Sequence, residues 1–267
     1  MSPRERLLLA VSVVSGVLLA GTAISAGAAA LADDRLLTLC ANAFVVELWL
    51  AGAALAGACL LRAPLRATLG LGPGRLGSRE IALLVLGTLA ASHALDGWLE
   101  LTGRTQHTAL TELPRVLEGA RGVRLAVALL VLGIAPGLAE ELLCRGLIQR
   151  SAIRRLGAPM GVSLAAGVFG ALHGDPLHAT FAAVLGLYLG VGAHWAGSTR
   201  PAIACHVTNN VVAVVLAAGT GRSGATWASV ATGGALSLVC LWSVARGRRS
   251  LAAARAVAPT HLPPGPA

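Results

Sequence analysis

Charged residues are scarce in this sequence of 267 residues, and lysine is absent altogether. Charged side chains make up 12% of the chain, aromatic ones 3% and hydrophobic ones 55%, whereas roughly a quarter of an average soluble domain is charged. A chain with so few charges cannot cover a water-facing surface. The composition therefore excludes an ordinary soluble protein and indicates a membrane protein.

The basic residues are all arginine, and they account for the formal charge of +9. In a soluble protein this excess would suggest nucleic acid as a partner. Most of these arginines lie instead in short segments between apolar runs, where positive charge sets the orientation of a membrane protein. We therefore expect membrane lipids as partners and no nucleic acid.

The five cysteines have neither CxxC spacing nor the pattern of a secreted disulfide framework. They all fall inside apolar runs, where cysteine behaves as a small buried hydrophobe.

Long apolar runs recur along the chain, and the first, Leu7 to Leu31, contains no charge. A bilayer is spanned by about 20 apolar residues in a helix. The fold class predicted is an all-α polytopic transmembrane bundle of about eight spans. Hydropathy places these spans at approximately 7–31, 36–61, 81–99, 124–150, 158–174, 177–198, 201–219 and 225–245.

The distribution of arginines predicts a multi-pass protein of the cell membrane with both termini in the cytoplasm. The absence of lysine, with the many alanines and glycines, suggests a bacterial protein. Four regions are expected: N-terminal spans and a surface segment over 1–123, a catalytic core over 124–220, a last span over 221–245, and a disordered basic tail over 246–267.

Ionisable residues inside three of the spans need a partner or a function, because each costs about 2.5 to 3.5 kcal/mol on insertion scales. On a helix, residues four apart share a face, so Glu141 can pair with Arg145, and His206 projects with Asn210. Glu140 points about 100° away from Glu141. The groups form three short motifs: Glu140, Glu141 and Arg145; Phe169 and His173; His206 and Asn210.

Depth in the membrane is compatible with one shared site. At about 1.5 Å per residue, Glu140 lies roughly 15 Å from a helix end near Arg150. By the same rule His206, Asn210 and His173 lie roughly 8, 14 and 20 Å deep. A glutamate, two histidines and an asparagine at similar depth suit the activation of water and the stabilisation of an oxyanion.

The order EExxxR, FxxxH and HxxxN resembles the CPBP family of intramembrane proteases, which includes type II CAAX prenyl endopeptidases and lysostaphin-resistance-like (Abi) proteins. The resemblance covers roughly residues 124–220. It implies a helical membrane fold and an endopeptidase that hydrolyses a peptide bond of a protein or peptide substrate near the membrane.

The resemblance also implies roles for individual residues. Glu140 would activate a water with the help of His173, while His206 and Asn210 would hold the oxyanion. The supporting residues would be Glu141, Arg145 and Phe169. No cofactor is preferred; the alternative is Zn²⁺ bound by Glu140, His173 and His206, although the HExxH spacing of familiar zinc peptidases is absent.

Two other functions remain open from the sequence. Buried charges are also expected in a proton-coupled transporter, and the fold would serve a non-catalytic scaffold or immunity protein. Polar residues outside the motifs leave their roles open as well: Glu47 in the second span, and His93, Asp96 and Glu100 on one face of the third. Asp175 and His178 flank Pro176 in a predicted turn, where solvation is the simpler explanation.

Overall fold

A computed structural model describes residues 34–104, 109–219 and 224–257. These ranges are helical and contain no β-strand, as the sequence predicts. The first predicted span, 7–31, lies outside the described residues. The helices are α1 Arg35–Leu60, α2 Ser78–Leu101, α3 Ala109–Leu117, α4 Gly122–Leu156, α5 Ala158–Ala171, α6 Pro176–Ala196, α7 Arg200–Gly219 and α8 Trp227–Val257, with a single turn at Leu65–Thr68.

Within the described ranges, α1, α2, α4, α6, α7 and the first part of α8 are each long and apolar enough to cross a membrane. The chain is therefore a multi-pass membrane protein. Helix α5 has 14 residues, about 21 Å, and falls short of the roughly 30 Å hydrocarbon core. The predicted span at 158–174 is thus a shorter helix that ends just before His173.

Helix α4 is longer than the predicted span at 124–150, because it continues to Leu156. It stops where Gly157 adopts a positive φ of 81°. Two π-helical segments, Leu129–Ile134 and Leu142–Gln149, flank the α-helical segment Ala135–Glu141. Pro136 follows the first π segment and lacks the N–H that an α-helical bond would need, which favours the wider winding. Such π segments are frequent at functional sites.

The C-terminal helix α8 extends beyond its predicted end. The last span was expected to end at 245 and a disordered tail to begin at 246, but the helix continues to Val257. Arginine and alanine, which dominate residues 246–257, are strong helix formers, and proline first recurs at 259. Residues 258–267 lie outside the described ranges.

Two hydrogen bonds set the register between α4 and α6. Arg145 donates to the carbonyl of Gly186 at 3.0 Å, and Gln149 donates to the carbonyl of Gly190 at 2.9 Å. Both numbers rise by four, so the two helices run parallel here and repeat the contact one turn apart.

Below these contacts, the connections between helices are joined by hydrogen bonds. Arg150 donates to the carbonyls of Gly197 and Ala67, each at 3.3 Å. Thr199 donates through its hydroxyl to Leu69, and Ser198 donates to Gly72. The segment before α2 and the turn between α6 and α7 therefore lie at the level of Arg150, and they close the end of the bundle beneath the motif residues.

Candidate active site

Helices α4 and α7 approach closely at Gly137. A Cβ at this position would lie 2.7 Å from the backbone nitrogen of Val207 and 3.0 Å from its Cα. One turn earlier, Gly133 faces Val211, so the helices are antiparallel. Only a residue without a side chain allows this distance, and the approach brings the glutamates of α4 beside His206.

Glu141 is the centre of the buried contacts. Its Oε1 accepts a hydrogen bond from Arg145 at 2.6 Å and one from His206 Nδ1 at 3.0 Å. The Glu141 side chain is fully buried. The predicted pair with Arg145 is present, and Glu141 in addition connects the first motif to the third. Because an ionised carboxylate only accepts hydrogen bonds, Nδ1 of His206 carries the proton and Nε2 is left for the site.

Arg145 connects the first motif to the second. Its guanidinium lies over the ring of Phe169, 4.2 Å from the centroid, and also donates to Gly186. A Cβ at Gly186 would lie 3.1 Å from the Phe169 ring and 3.2 Å from Arg145 Nη2. The glycine therefore leaves room for both side chains, and a buried cation over an aromatic face is stabilising.

Phe169 lies between the two histidines of the motifs. Its ring meets that of His173 at 5.1 Å and that of His206 at 5.5 Å, both edge to face. The Phe169 carbonyl accepts a hydrogen bond from Nδ1 of His173 at 2.8 Å. A carbonyl cannot donate, so His173 holds its proton on Nδ1 and presents Nε2 as an acceptor.

Glu140 is buried, 9% exposed, on a different face of α4 from Glu141. It lies within electrostatic range of His206, Glu141 and Arg145, and also of Glu47 on α1. Its Oε2 receives no hydrogen bond from the described residues. Nor does a hydrogen bond join Glu140 to His173 in this part of the chain; Phe169 and His206 lie between the two motifs instead.

Asn210 follows His206 by one turn of α7 and is half-buried. Its Oδ1 accepts a hydrogen bond from Asn209 Nδ2 at 3.3 Å. This contact leaves the Asn210 amide N–H groups available as donors. The third motif thus offers a donor amide near the histidine, which is the arrangement that an oxyanion needs.

Two residues outside the motifs take part in the cluster, and sequence reasoning assigned neither. Glu47, whose partner the sequence left open, is buried on α1, and α1 packs on the segment of α4 that carries Glu140. His178 packs its ring edge to face on His173 at 4.3 Å. Asp175 accepts from the His178 backbone at 2.7 Å and caps α6, so the histidine turns inward at the start of a helix rather than outward in a loop.

The polar face predicted on α2 does not reach this cluster. His93 and Asp96 are exposed, and Glu100 accepts a hydrogen bond from the backbone of Ala225, before α8, at 3.3 Å. The site therefore lies against α1 rather than against this face of α2. Hydropathy alone does not show which of the two helices packs there.

The alternative zinc ligands, Glu140, His173 and His206, lie in the same region. Among the described residues, however, no three histidine, cysteine or acidic side chains are arranged as a group that would hold a metal ion. His206 Nδ1 is taken up by Glu141 and His173 Nδ1 by a backbone carbonyl. Each histidine therefore keeps Nε2 for another partner, as a histidine held by a second hydrogen bond at Nδ1 does.

Comparison with known proteins bears on this same region. Residues 122–212 match the family described as type II CAAX prenyl endopeptidase Rce1-like. The match includes all three motifs but not Glu47. No curated protein and no solved structure matches the chain. The three motifs gathered around Phe169 therefore lie on a segment that is similar to the type II CAAX prenyl endopeptidases of the CPBP family.

Proposed function

We propose that this protein is an endopeptidase that hydrolyses a peptide bond near the membrane surface with a water activated by Glu140. The observation that carries the proposal is the convergence of three motifs from separate helices on one buried cluster around Glu141, Phe169 and His206. Buried ionisable groups are costly in a membrane, and a cluster of this composition has the donors and acceptors that hydrolysis uses.

In the proposed reaction Glu140 takes a proton from water, and the water oxygen attacks the carbonyl carbon of the scissile bond. His173 presents Nε2 to the same water and orients it. Glu140 then gives the proton to the leaving nitrogen as the carbon–nitrogen bond breaks. The products are a carboxylic acid and an amine. Glu140 is deprotonated when it accepts the proton from water and protonated when it donates to the leaving nitrogen.

The oxyanion of the intermediate would be held by Asn210 and His206. Asn210 donates through its amide, and His206 donates through Nε2 when it is doubly protonated. Glu141 orients His206 through the hydrogen bond at Nδ1, in the way that a buried carboxylate orients the histidine of other hydrolases. Glu141 is therefore proposed to act on the chemistry as well as on stability.

The first test is cleavage by the full-length protein in liposomes. The substrate is an internally quenched peptide that ends in a CAAX sequence, supplied in farnesylated and unmodified forms. We expect Glu140→Gln to lower kcat about 10²-fold to 10⁴-fold, because the general base is lost. Glu118→Gln, at an exposed carboxyl of the described chain, serves as the control and should keep wild-type activity.

Unchanged cleavage by folded Glu140→Gln would overturn the assignment of the base. Equal cleavage of the two peptides would mean that a prenyl group is not part of what is recognised. A chelator arm tests the zinc alternative: loss of activity that added Zn²⁺ restores would contradict the metal-independent mechanism.

The arginines also bear on the location and orientation of the protein in the membrane. We place the protein in the cell membrane with Arg150 and the connections around it on the cytoplasmic side, because arginine-bearing segments are retained there. The N- and C-termini would then both be cytoplasmic, and a substrate would be cut within about 15 Å of that side, the length of helix between Glu140 and Arg150.

A further inference from the structure

His173, which the proposed function places beside the attacking water, lies just beyond the end of α5 rather than inside a helix. The helix ends at Ala171, and the backbone turns at Gly174, where φ is 70°. The N–H of Asp175 donates to the carbonyl of His173 at 2.7 Å, which closes the turn. A side chain in a turn is held less firmly than one on a packed helix, so its orientation depends on what contacts the ring.

The His173 ring is contacted from two helices. Phe169, one turn earlier on α5, accepts the hydrogen bond from Nδ1 at 2.8 Å and packs its own ring at 5.1 Å. His178, in the first turn of α6, packs edge to face on the His173 ring with centroids 4.3 Å apart. Phe169 therefore holds Nδ1 from the same helix, and His178 supplies a contact that ties the ring to the next helix.

His178 is itself held by the start of α6. Its backbone N–H donates to Oδ1 of Asp175, the N-cap of this helix, at 2.7 Å. Pro176 occupies the first helical position, where its fixed φ suits a helix start. The next residue, Ala179, lies against α5, because a Cβ at Gly170 would be 2.5 Å from the Ala179 carbonyl oxygen. This close approach of α5 and α6 fixes the backbone of His178 relative to the end of α5.

We propose that His178 is a positioning residue: its ring packs on the His173 imidazole and keeps Nε2 of His173 directed toward the attacking water. This role rests on the function proposed above. It needs the shape of an aromatic ring and no proton transfer by His178. A reacting group displaced by about 1 Å can lose about 10²-fold in rate, so loss of this ring contact should be measurable in kcat.

Kinetics with a quenched peptide that the wild-type protein cleaves in liposomes test the role. His178→Ala should lower kcat about 10-fold or more with little change in KM, because the substrate still binds while Nε2 of His173 is less well directed. His178→Phe keeps an aromatic ring that can pack edge to face but has no nitrogen to carry a proton, and its kcat should stay within about threefold of the wild-type value.

Thr180→Ala is the matched control. Thr180 follows His178 by two residues on α6, is exposed, and donates to the carbonyl of Pro176 at 2.8 Å. The substitution therefore disturbs the start of α6 without removing an aromatic ring, and it should keep wild-type kcat. A loss equal to that of His178→Ala would assign the effect to the start of α6 and overturn the positioning role.

Solid-state NMR of the full chain in liposomes, with isotope-labelled histidine, tests the restraint on His173 independently of activity. The His173 ring signals are assigned by their absence in His173→Gln. They should be single and sharp in the wild type and in His178→Phe, and broadened or split in His178→Ala, where the ring samples more than one rotamer. Unchanged signals in His178→Ala would contradict the restraint.

Wild-type kcat in His178→Ala would also overturn the proposal. So would a kcat in folded His178→Phe as low as that in His178→Ala, since the imidazole itself rather than its packing would then be required. These results leave the proposed function standing if Glu140→Gln is inactive. Active Glu140→Gln would contradict the proposed function itself, whatever the NMR signals of His173 show.

Discussion

A single oxygen atom of Glu141 joins two motifs. Oε1 accepts from both Arg145 and His206, so the buried guanidinium is neutralised by the same group that sets the tautomer of the histidine. Removing one partner of a buried ion pair costs about 3–5 kcal/mol, because the other charge is left unpaired. Glu141 therefore contributes both to the stability of the fold and to the orientation of His206, and a single substitution of Glu141 will disturb both.

A double substitution separates the two roles. Glu141→Gln should lower both Tm and kcat, the latter about 10²-fold, as for loss of one oxyanion donor. Glu141→Gln with Arg145→Met removes both charges and should recover much of the lost Tm, because a neutral, well-packed pair can replace a buried ion pair. We expect kcat to stay low. Recovery of activity together with Tm would show that Glu141 acts on stability alone.

Helix α4 carries the first motif and contacts the helices that carry the other two. Its glycines face α7 at Gly133 and Gly137, and its two hydrogen bonds to backbone carbonyls fix it against α6. In a bilayer no hydrophobic effect drives helices together, so small residues and interhelical hydrogen bonds supply the association. Helix α4 therefore depends on both kinds of contact to hold the motif residues in register.

The glycine contact gives a test of the element. Gly137→Ala should be destabilising by about 1–3 kcal/mol, because the added Cβ meets the backbone of Val207, and it should also reduce kcat by shifting His206 from Glu141. Gly167→Ala is the matched control, since a Cβ there meets nothing within 4 Å. Thermal unfolding in detergent and cleavage assays measure both effects. Equal Tm values for the two variants would contradict the close approach.

At the scale of the whole molecule, the two ends of the bundle differ. The end at Arg150 is joined by hydrogen bonds that connect the segment before α2 with the turn after α6. The opposite end is reached about 36 Å away, after the 24 residues of α2. Thr102 there is exposed, as is Arg104. The site lies nearer the Arg150 end.

Cysteine labelling in intact cells tests the proposed orientation, with the five native cysteines replaced by alanine. We expect a membrane-impermeant maleimide to modify Thr102→Cys and to leave Gly72→Cys unmodified until the cells are opened. Gly72 has open space for a side chain, so the reagent can reach it from its own side. Labelling of Gly72→Cys in intact cells would reverse the orientation.

Much of the fold followed from composition and local pattern. Apolar runs of spanning length predicted the described helices, since hydrocarbon requires the backbone to bond within each helix. Helix ends were less predictable: α4 continues past 150 and α8 past 245, because arginine and alanine extend a helix as readily as apolar residues do.

The identity of the motif residues came from the sequence, because an ionisable group inside an apolar run stands out whatever its neighbours are. Their partners did not. Only the tertiary structure shows that Glu141 binds His206 as well as Arg145 and that His178 packs on His173. It also shows that α1 with Glu47, rather than the polar face of α2, lies toward Glu140. Helix packing and helix rotation bring together residues that are far apart in the chain. The pattern of residues along the chain determines neither of them.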